Sequence, residues 1–273
     1  MNNFFYFQLC LDNYVRECEL SPFNELCLLS NVLRNKDIGT ITLYTNRPFK
    51  FKTFTKLADY IEVKPVDSEI LAKALDDLKE AKKKYKPAHL SDILRFAYLY
   101  KYGGVYLDTD ILVLKSFQPL LDMPHDLILA SESKQKINNG LIIANKPGVE
   151  LFKNVLQNYE DDYRPDQWIY NSMIYLNAMV KWNPGANSIR VLEPDTGFHY
   201  PRHDQLAELF KSVDFGNSTF TQNYSHHICG SIAPKGQTVR AYITDRILSP
   251  QLCDKRVYLD NLIDSLLAEY EAL

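Results

Sequence analysis

The chain has 273 residues, 31 basic and 34 acidic side chains and a net charge of -3, a length that suits one large α/β domain with appendages or two small domains. With 46% hydrophobic and 24% charged residues it reads as globular rather than disordered, and the near-neutral balance gives no electrostatic case for nucleic acid. No window approaches the roughly 20 apolar residues that span a bilayer. The Phe4-Phe5-Tyr6-Phe7 run stops at Gln8 with no basic region before it, so a cytoplasmic location without a membrane span is expected. Cys10, Cys18, Cys27, Cys229 and Cys253 are odd in number and lack CxxC spacing. They read as reduced thiols rather than a disulfide framework or zinc knuckle.

In chain order, Asn3 to Leu9 reads as a buried strand, and Ser21-Pro22 opens a helix through about Leu33. Thr40 to Tyr44 and Tyr60 to Val63 read as strands. Asp67 to Lys84 reads as an amphipathic helix with Leu71, Leu75 and Leu78 on its apolar side. Its basic end, Lys82 to Lys86, is either a solvated helix terminus or an anion-attracting rim. His89 to Tyr102 is a helix stopped by Gly103-Gly104, and Val105 to Leu114 follows as a strand. Strands are expected at Asp126 to Ala130 and Leu141 to Ala144, and helices at Val149 to Tyr159 and Gln167 to Met179. Asn183 to Tyr200 is turn-rich. Beyond Ile232 a loop-like stretch precedes an amphipathic helix near Leu259 to Tyr270. This alternation predicts an α/β sandwich around a mostly parallel sheet. It divides into a main domain, 1–232, and a C-terminal extension, 233–273, that packs on the core.

The chemistry concentrates between His89 and Leu114. Asp92 and Arg95, three apart, share one face of the helix. Asp108 and Asp110, two apart on the expected strand, point to one side. Two carboxylates in apolar sequence are costly to bury without a cation, and a divalent metal carrying a diphosphate meets that need. A bare Asp-x-Asp is usually an ordinary turn; here Tyr-Gly-Gly-Val-Tyr-Leu precedes it, and the Ser-Asp-x-x-Arg helix precedes that.

The block from His89 to Leu114 resembles the DXD sugar-binding region of glycosyltransferase family 32, which has relatives among capsular-polysaccharide and Golgi hexosyltransferases. The helix also resembles that of the large clostridial glucosylating toxins. The resemblance implies a GT-A fold, a nucleotide-sugar donor, Mn²⁺ or Mg²⁺, and transfer with retention. By it, Asp108 and Asp110 belong to the metal site, with Asp108 also reaching the nucleotide, and Asp92 and Arg95 hold the donor sugar. Ile137-Asn138-Asn139-Gly140 resembles the Asn-x-Gly strand of related enzymes, which maps a sugar contact onto Asn138 or Asn139; alone it is a turn signal. Asp166-Gln167-Trp-Ile-Tyr-Asn171 resembles a helix start near the anomeric carbon, giving Asp166 and Gln167 a catalytic role, although Asp166 also suits an N-cap.

Ser225-His226-His227-Ile228-Cys229-Gly230-Ser231-Ile232 is similar to the family's His-x-Trp-x-Gly-Ser-Trp segment. It implies a metal or diphosphate role for His226 and a nucleotide contact at Ser231, with both tryptophans replaced by isoleucine. Gln8, Leu9, Tyr44, Thr45, Asn46 and Tyr106 are the remaining candidates for the nucleotide, at the switch-point region where α/β sheets bind nucleotides. The expectation is a metal-dependent retaining hexosyltransferase that takes a UDP-hexose donor and a glycan or glycoconjugate acceptor. The alternatives are a non-catalytic nucleotide-sugar or glycan-binding protein of the same fold and a nucleotidyltransferase. The latter lacks its usual Gly-rich, basic loop between Leu9 and Arg16.

Overall fold

Phe4 and Tyr6 of β1 (Asn2–Gln8) face one layer of helices, and Phe5 and Phe7 face the other. A central strand buried on both sides needs such a continuous apolar run. The computed structural model describes residues 2–12, 14–81, 86–133, 136–182, 188–194, 196, 198–199, 206–211, 220, 222–228, 238–249 and 257–273. After β1 come α1 (Pro22–Asn35), β2 (Gly39–Thr45), β3 (Ile61–Pro65), α2 (Ser68–Asp77), α3 (Lys86–Tyr102), β4 (Gly104–Leu107) and β5 (Ile111–Val113). Next are α4 (Gln118–Leu121), β6 (Leu127–Ser133), β7 (Lys136–Ala144), α5 (Glu150–Asp161), a π-helical turn (Tyr170–Ile174) and α6 (Tyr175–Trp182). The chain closes with β8 (Ile189–Leu192), β9 (Phe198–His199), β10 (Ser225–His227), α7 (Val239–Leu248) and α8 (Tyr258–Glu271).

Among the described residues, seven strands form the main sheet in the order β3-β2-β1-β4-β7-β6-β8, and β5, β10 and β9 form a small second sheet. Pairing in the main sheet is parallel except where β7 meets β4 and β6. Helices α1, α7 and α8 cover one face, and α2, α3 and α5 the other. Among the described residues no helix is long and apolar enough to cross a membrane.

Local chemistry explains the boundaries. Ser21 caps α1, its hydroxyl accepting from the Asn24 N–H at 3.2 Å, with Pro22 in the first turn. Gly103 (φ 67°) and Gly104 (φ 102°) turn the end of α3 directly into β4. A Cβ at Gly104 would lie 2.6 Å from the Asn3 carbonyl oxygen of the neighbouring strand, so no other residue fits. Glu25, fully buried on α1, accepts from the N–H groups of Lys52, Thr53 and Phe54 and fixes the path between β2 and β3.

Several expectations are corrected. The strand expected over Val105 to Leu114 is two strands in different sheets: β4 ends at Leu107, and β5 pairs antiparallel with β10. The turn between them is closed by the Ile111 N–H donating to the Asp108 carbonyl at 3.1 Å. Apolar residues on both sides of Asp108-Thr109-Asp110 read as one strand, and the pattern does not reveal that the chain changes sheet there. The helix expected over Asp67 to Lys84 stops at Asp77, with Asp67 as its cap; residues 82–85 lie outside the described residues. Asp166 and Gln167 precede the π turn and belong to no helix. The turn-rich stretch holds β8 and β9, and α7 lies in what reads as loop.

Candidate active site

Asp108 follows the last residue of β4, beside the C-terminal end of β1, where the strand order changes direction. That edge is where open α/β sheets bind ligands. Its backbone N–H donates to the Gly140 carbonyl at 2.8 Å, which anchors the turn to β7. The Asn24 side-chain amide of α1 donates to the Thr109 carbonyl at 2.9 Å and holds the turn from the other side. Asp110 completes the turn. The two aspartates are therefore brought together by a hydrogen-bonded turn, not by strand alternation.

The third group is His227. Its Nε2 lies 3.2 Å from Asp110 Oδ1, and one ligand atom each from Asp108, Asp110 and His227 lie within 4.8 Å of one another. The expectation placed His226 here. Neighbouring strand residues point to opposite faces, and His226 turns away, its Nε2 2.8 Å from the Tyr258 hydroxyl of α8. Burial works against charge on both members of the Asp110–His227 pair, and their attraction outweighs it. Asp110 is held below its ordinary pKa and His227 above. Gly140 leaves the room for this cluster: an added Cβ would lie 2.8 Å from Asp108 Oδ2, 2.9 Å from Asn138 Oδ1 and 3.1 Å from His227 Cε1.

Behind the cluster stands Arg95, 5% exposed. Its guanidinium lies 3.1 Å from Asp108 Oδ1 and 3.3 Å from Asp92 Oδ1, and donates to the Ser91 hydroxyl at 3.1 Å and the Asn139 carbonyl at 2.5 Å. It also stacks over Tyr106, 4.5 Å from the ring centroid, and the Tyr106 hydroxyl donates to Asp108. Burial raises the Tyr106 pKa despite Arg95, so the phenol stays neutral and remains a donor. Asp92 accepts from the Asn139 side chain at 2.8 Å; burial raises its pKa, and Arg95 opposes the rise. Buried carboxylates are tolerable only with such partners.

The structure thus gathers Asp92, Arg95, Tyr106, Asp108, Asp110 and Asn139 in one network. Asn138, the next residue on β7, accepts from the Gly140 N–H at 2.6 Å and donates to Glu132 at 3.3 Å. The side chains of Asp166 and Gln167 are exposed. Sequence reasoning missed what positions them. His89, fully buried in α3, contacts the Tyr163 hydroxyl at 2.9 Å and the carbonyls of Gln167 and Trp168, each at 3.2 Å. A histidine opening the motif block was the available signal.

The nucleotide candidates line the adjoining strand ends, since Gln8 pairs with Thr45 across β1 and β2. Gln8 donates to the Glu19 carbonyl at 2.8 Å, and Asn46 exchanges two 2.9 Å hydrogen bonds with the backbone of Cys10 just past Leu9. Tyr44 packs edge-on to Tyr98 with centroids 4.7 Å apart. A cavity of about 460 Å³ opens beside Thr45 and Asn46, lined also by Arg47, Phe49, Lys64 and Val66. Ser231 lies outside the described residues.

Residues 21–132 match the profile of the glycosyltransferase sugar-binding region containing the DXD motif. The lactosylceramide 4-alpha-galactosyltransferase of Pongo pygmaeus is 33% identical over 176 residues, which cover 60% of this chain and 75% of that protein. The same enzyme of Gorilla gorilla gorilla is 26% identical over 176 residues, covering 60% of this chain and 50% of that protein. The chain thus spans about half the length of the gorilla enzyme. Among solved structures, an active-site mutant of LgtC superposes with a TM-score of 0.51 at 12% identity, covering 93% of this chain and 98% of that one. At that identity the likeness shows the fold, which is GT-A. With Asp108-Thr109-Asp110 at the sheet's switch point, the chain belongs to the glycosyltransferase family whose sugar-binding region carries the DXD motif.

Proposed function

We propose that this chain moves a hexose from a UDP-hexose to a hydroxyl of a glycan or glycoconjugate acceptor, with retention at the anomeric carbon and dependence on Mn²⁺ or Mg²⁺. One observation carries the reading: Asp108, Asp110 and His227 converge at the sheet edge with the Asp92–Arg95–Asn139 network directly behind them.

Two carboxylates and an imidazole fit a small divalent cation, because hard ions take oxygen and Mn²⁺ also accepts nitrogen. Asp108, Asp110 and His227 would hold it, and when bound it supplies positive charge against the diphosphate of the leaving nucleotide. Arg95 keeps Asp108 turned toward the site and fixes the backbone of Asn139. Two carboxylates already offset its charge, so its contribution is orientation more than potential. Asp92 and Asn139 present polar groups for sugar hydroxyls; Asn138 faces the other side of β7, toward Asp108 and His227. Gln167 is held through its backbone by His89, and its exposed side chain, with Asp166 next to it, is the group this reading assigns to the reacting centre. The acceptor hydroxyl then attacks on the face from which the nucleotide departs.

The test is UDP release from a panel of UDP-hexoses, with Mn²⁺ or with chelator, for wild type and Asp110→Asn. The reading expects release that needs the metal and the aspartate, and a transferred sugar whose anomeric configuration matches the donor's by NMR. Metal-dependent nucleotide binding with neither transfer nor donor hydrolysis would favour a binding protein instead. Pyrophosphate formed from a nucleoside triphosphate and a sugar phosphate would favour a nucleotidyltransferase.

A further inference from the structure

Two cysteines that sequence spacing keeps apart meet at the end of β1. Residues 8–10 and 17–19 run alongside one another: the Gln8 side chain donates to the Glu19 carbonyl at 2.8 Å, the Cys18 thiol to the Gln8 carbonyl at 3.5 Å, and the Cys10 thiol to the Glu17 carbonyl at 3.8 Å. Asn46 ties the two together. Its Oδ1 accepts from the Cys10 N–H at 2.9 Å and from the Cys18 thiol at 3.5 Å, and its Nδ2 donates to the Cys10 carbonyl at 2.9 Å. Burial pushes the Cys18 thiol up to about 11, and a hydrogen bond with the Cys10 thiol adds to the rise. Cys10 is partly exposed, whereas Cys18 is 1% exposed.

The geometry points to Cys10 and Cys18 as an oxidisable dithiol, a modification site that closes the 10–18 segment with an intramolecular disulfide. Cys10, the accessible sulfur, is the entry point, and Cys18, a slow nucleophile because of its raised pKa, resolves it because the shared Asn46 and backbone contacts hold the two sulfurs together. With a peroxide as oxidant, the Cys10 sulfur takes one oxygen to give a sulfenic acid and one water leaves. The Cys18 sulfur then displaces the hydroxyl, its proton leaves with that oxygen as a second water, and the S–S bond forms. The inference is independent of the transferase reading, since it needs only the two sulfurs and a peroxide.

The test treats the full, reduced chain with hydrogen peroxide and maps it without reduction. Cleavage after Arg16 and Glu19 separates Cys10, Cys18 and Cys27 onto three peptides. The expected result is a linked Cys10–Cys18 pair, two hydrogens lighter than the free peptides together. Either Cys10→Ser or Cys18→Ser removes it and Cys27→Ala does not. The oxidised protein should also melt a few degrees higher than the reduced one, because the cross-link restricts the unfolded chain. Linkage of Cys10 to any other cysteine, over-oxidation of Cys10 with Cys18 left free, or two thiols unchanged by peroxide would each overturn it.

Discussion

A methyl group added at Gly140 would press on Asp108 Oδ2 at 2.8 Å and on His227 Cε1 at 3.1 Å, so Gly140→Ala must displace a site carboxylate or the imidazole. We expect UDP release to fall by about 10²-fold, the loss a displacement near 1 Å produces, while far-UV circular dichroism stays native. A second residue-scale prediction concerns pH. His227 has a folded pKa above its unfolded value of about 6.5, so its contribution to stability is complete below that pH and fades as pH rises through the folded value. Asp110 has a lowered pKa, so its contribution is present above about 4 and is lost as pH falls through the folded value. Without metal, the pair therefore stabilises most between about pH 4 and 6.5. Melting curves of metal-free His227→Gln should lose the decline that wild type shows above that window. The aspartates were legible in sequence because Asp108-Thr109-Asp110 interrupts apolar sequence. The choice between His226 and His227 was not, because alternation assigns them to opposite faces without saying which face holds the site.

At the scale of elements, most strands and helices were legible from periodicity and punctuation, as at Ser21-Pro22 and Gly103-Gly104. What escaped was tertiary. The passage of the chain from β4 to β5 crosses between two sheets, and the π turn over Tyr170–Ile174 follows a segment pinned by a buried histidine. The latch carries its own prediction. His89→Ala removes the contacts to Tyr163, Gln167 and Trp168 without touching Asp108 or Asp110. It should lower turnover by about tenfold or more through misplaced Gln167, and leave the melting shift produced by UDP with Mn²⁺ intact. Loss of that shift in His89→Ala would mean that the latch supports the metal cluster rather than the segment around Gln167.

On the scale of the whole molecule, α8 shares the core of the sheet. Leu259, Ile263 and Leu266 of α8 are fully buried in the cluster that contains Phe4 and Tyr6, and Glu269 pairs with Arg34 of α1. Burying three such side chains contributes about 5–9 kcal/mol, at about 1.5–3 each. That rivals the entire stability of an ordinary domain, about 5–15 kcal/mol. A chain ending at residue 238 should therefore lose cooperative unfolding, and a native melting transition in that fragment would show the extension to be separable. Helix α8 also reaches the second sheet, since Tyr258 contacts His226 beside His227. A metal–diphosphate site at Asp108, Asp110 and His227, as proposed, is best tested by thermal unfolding with UDP or GDP, with and without Mn²⁺, for wild type and Asp110→Ala. At about 100 times its dissociation constant a nucleotide adds about 2.7 kcal/mol, so the melting temperature should rise clearly with UDP only when Mn²⁺ is present, and not in Asp110→Ala. A rise that survives without metal or without Asp110, or no rise with either nucleotide in a folded protein, would contradict it.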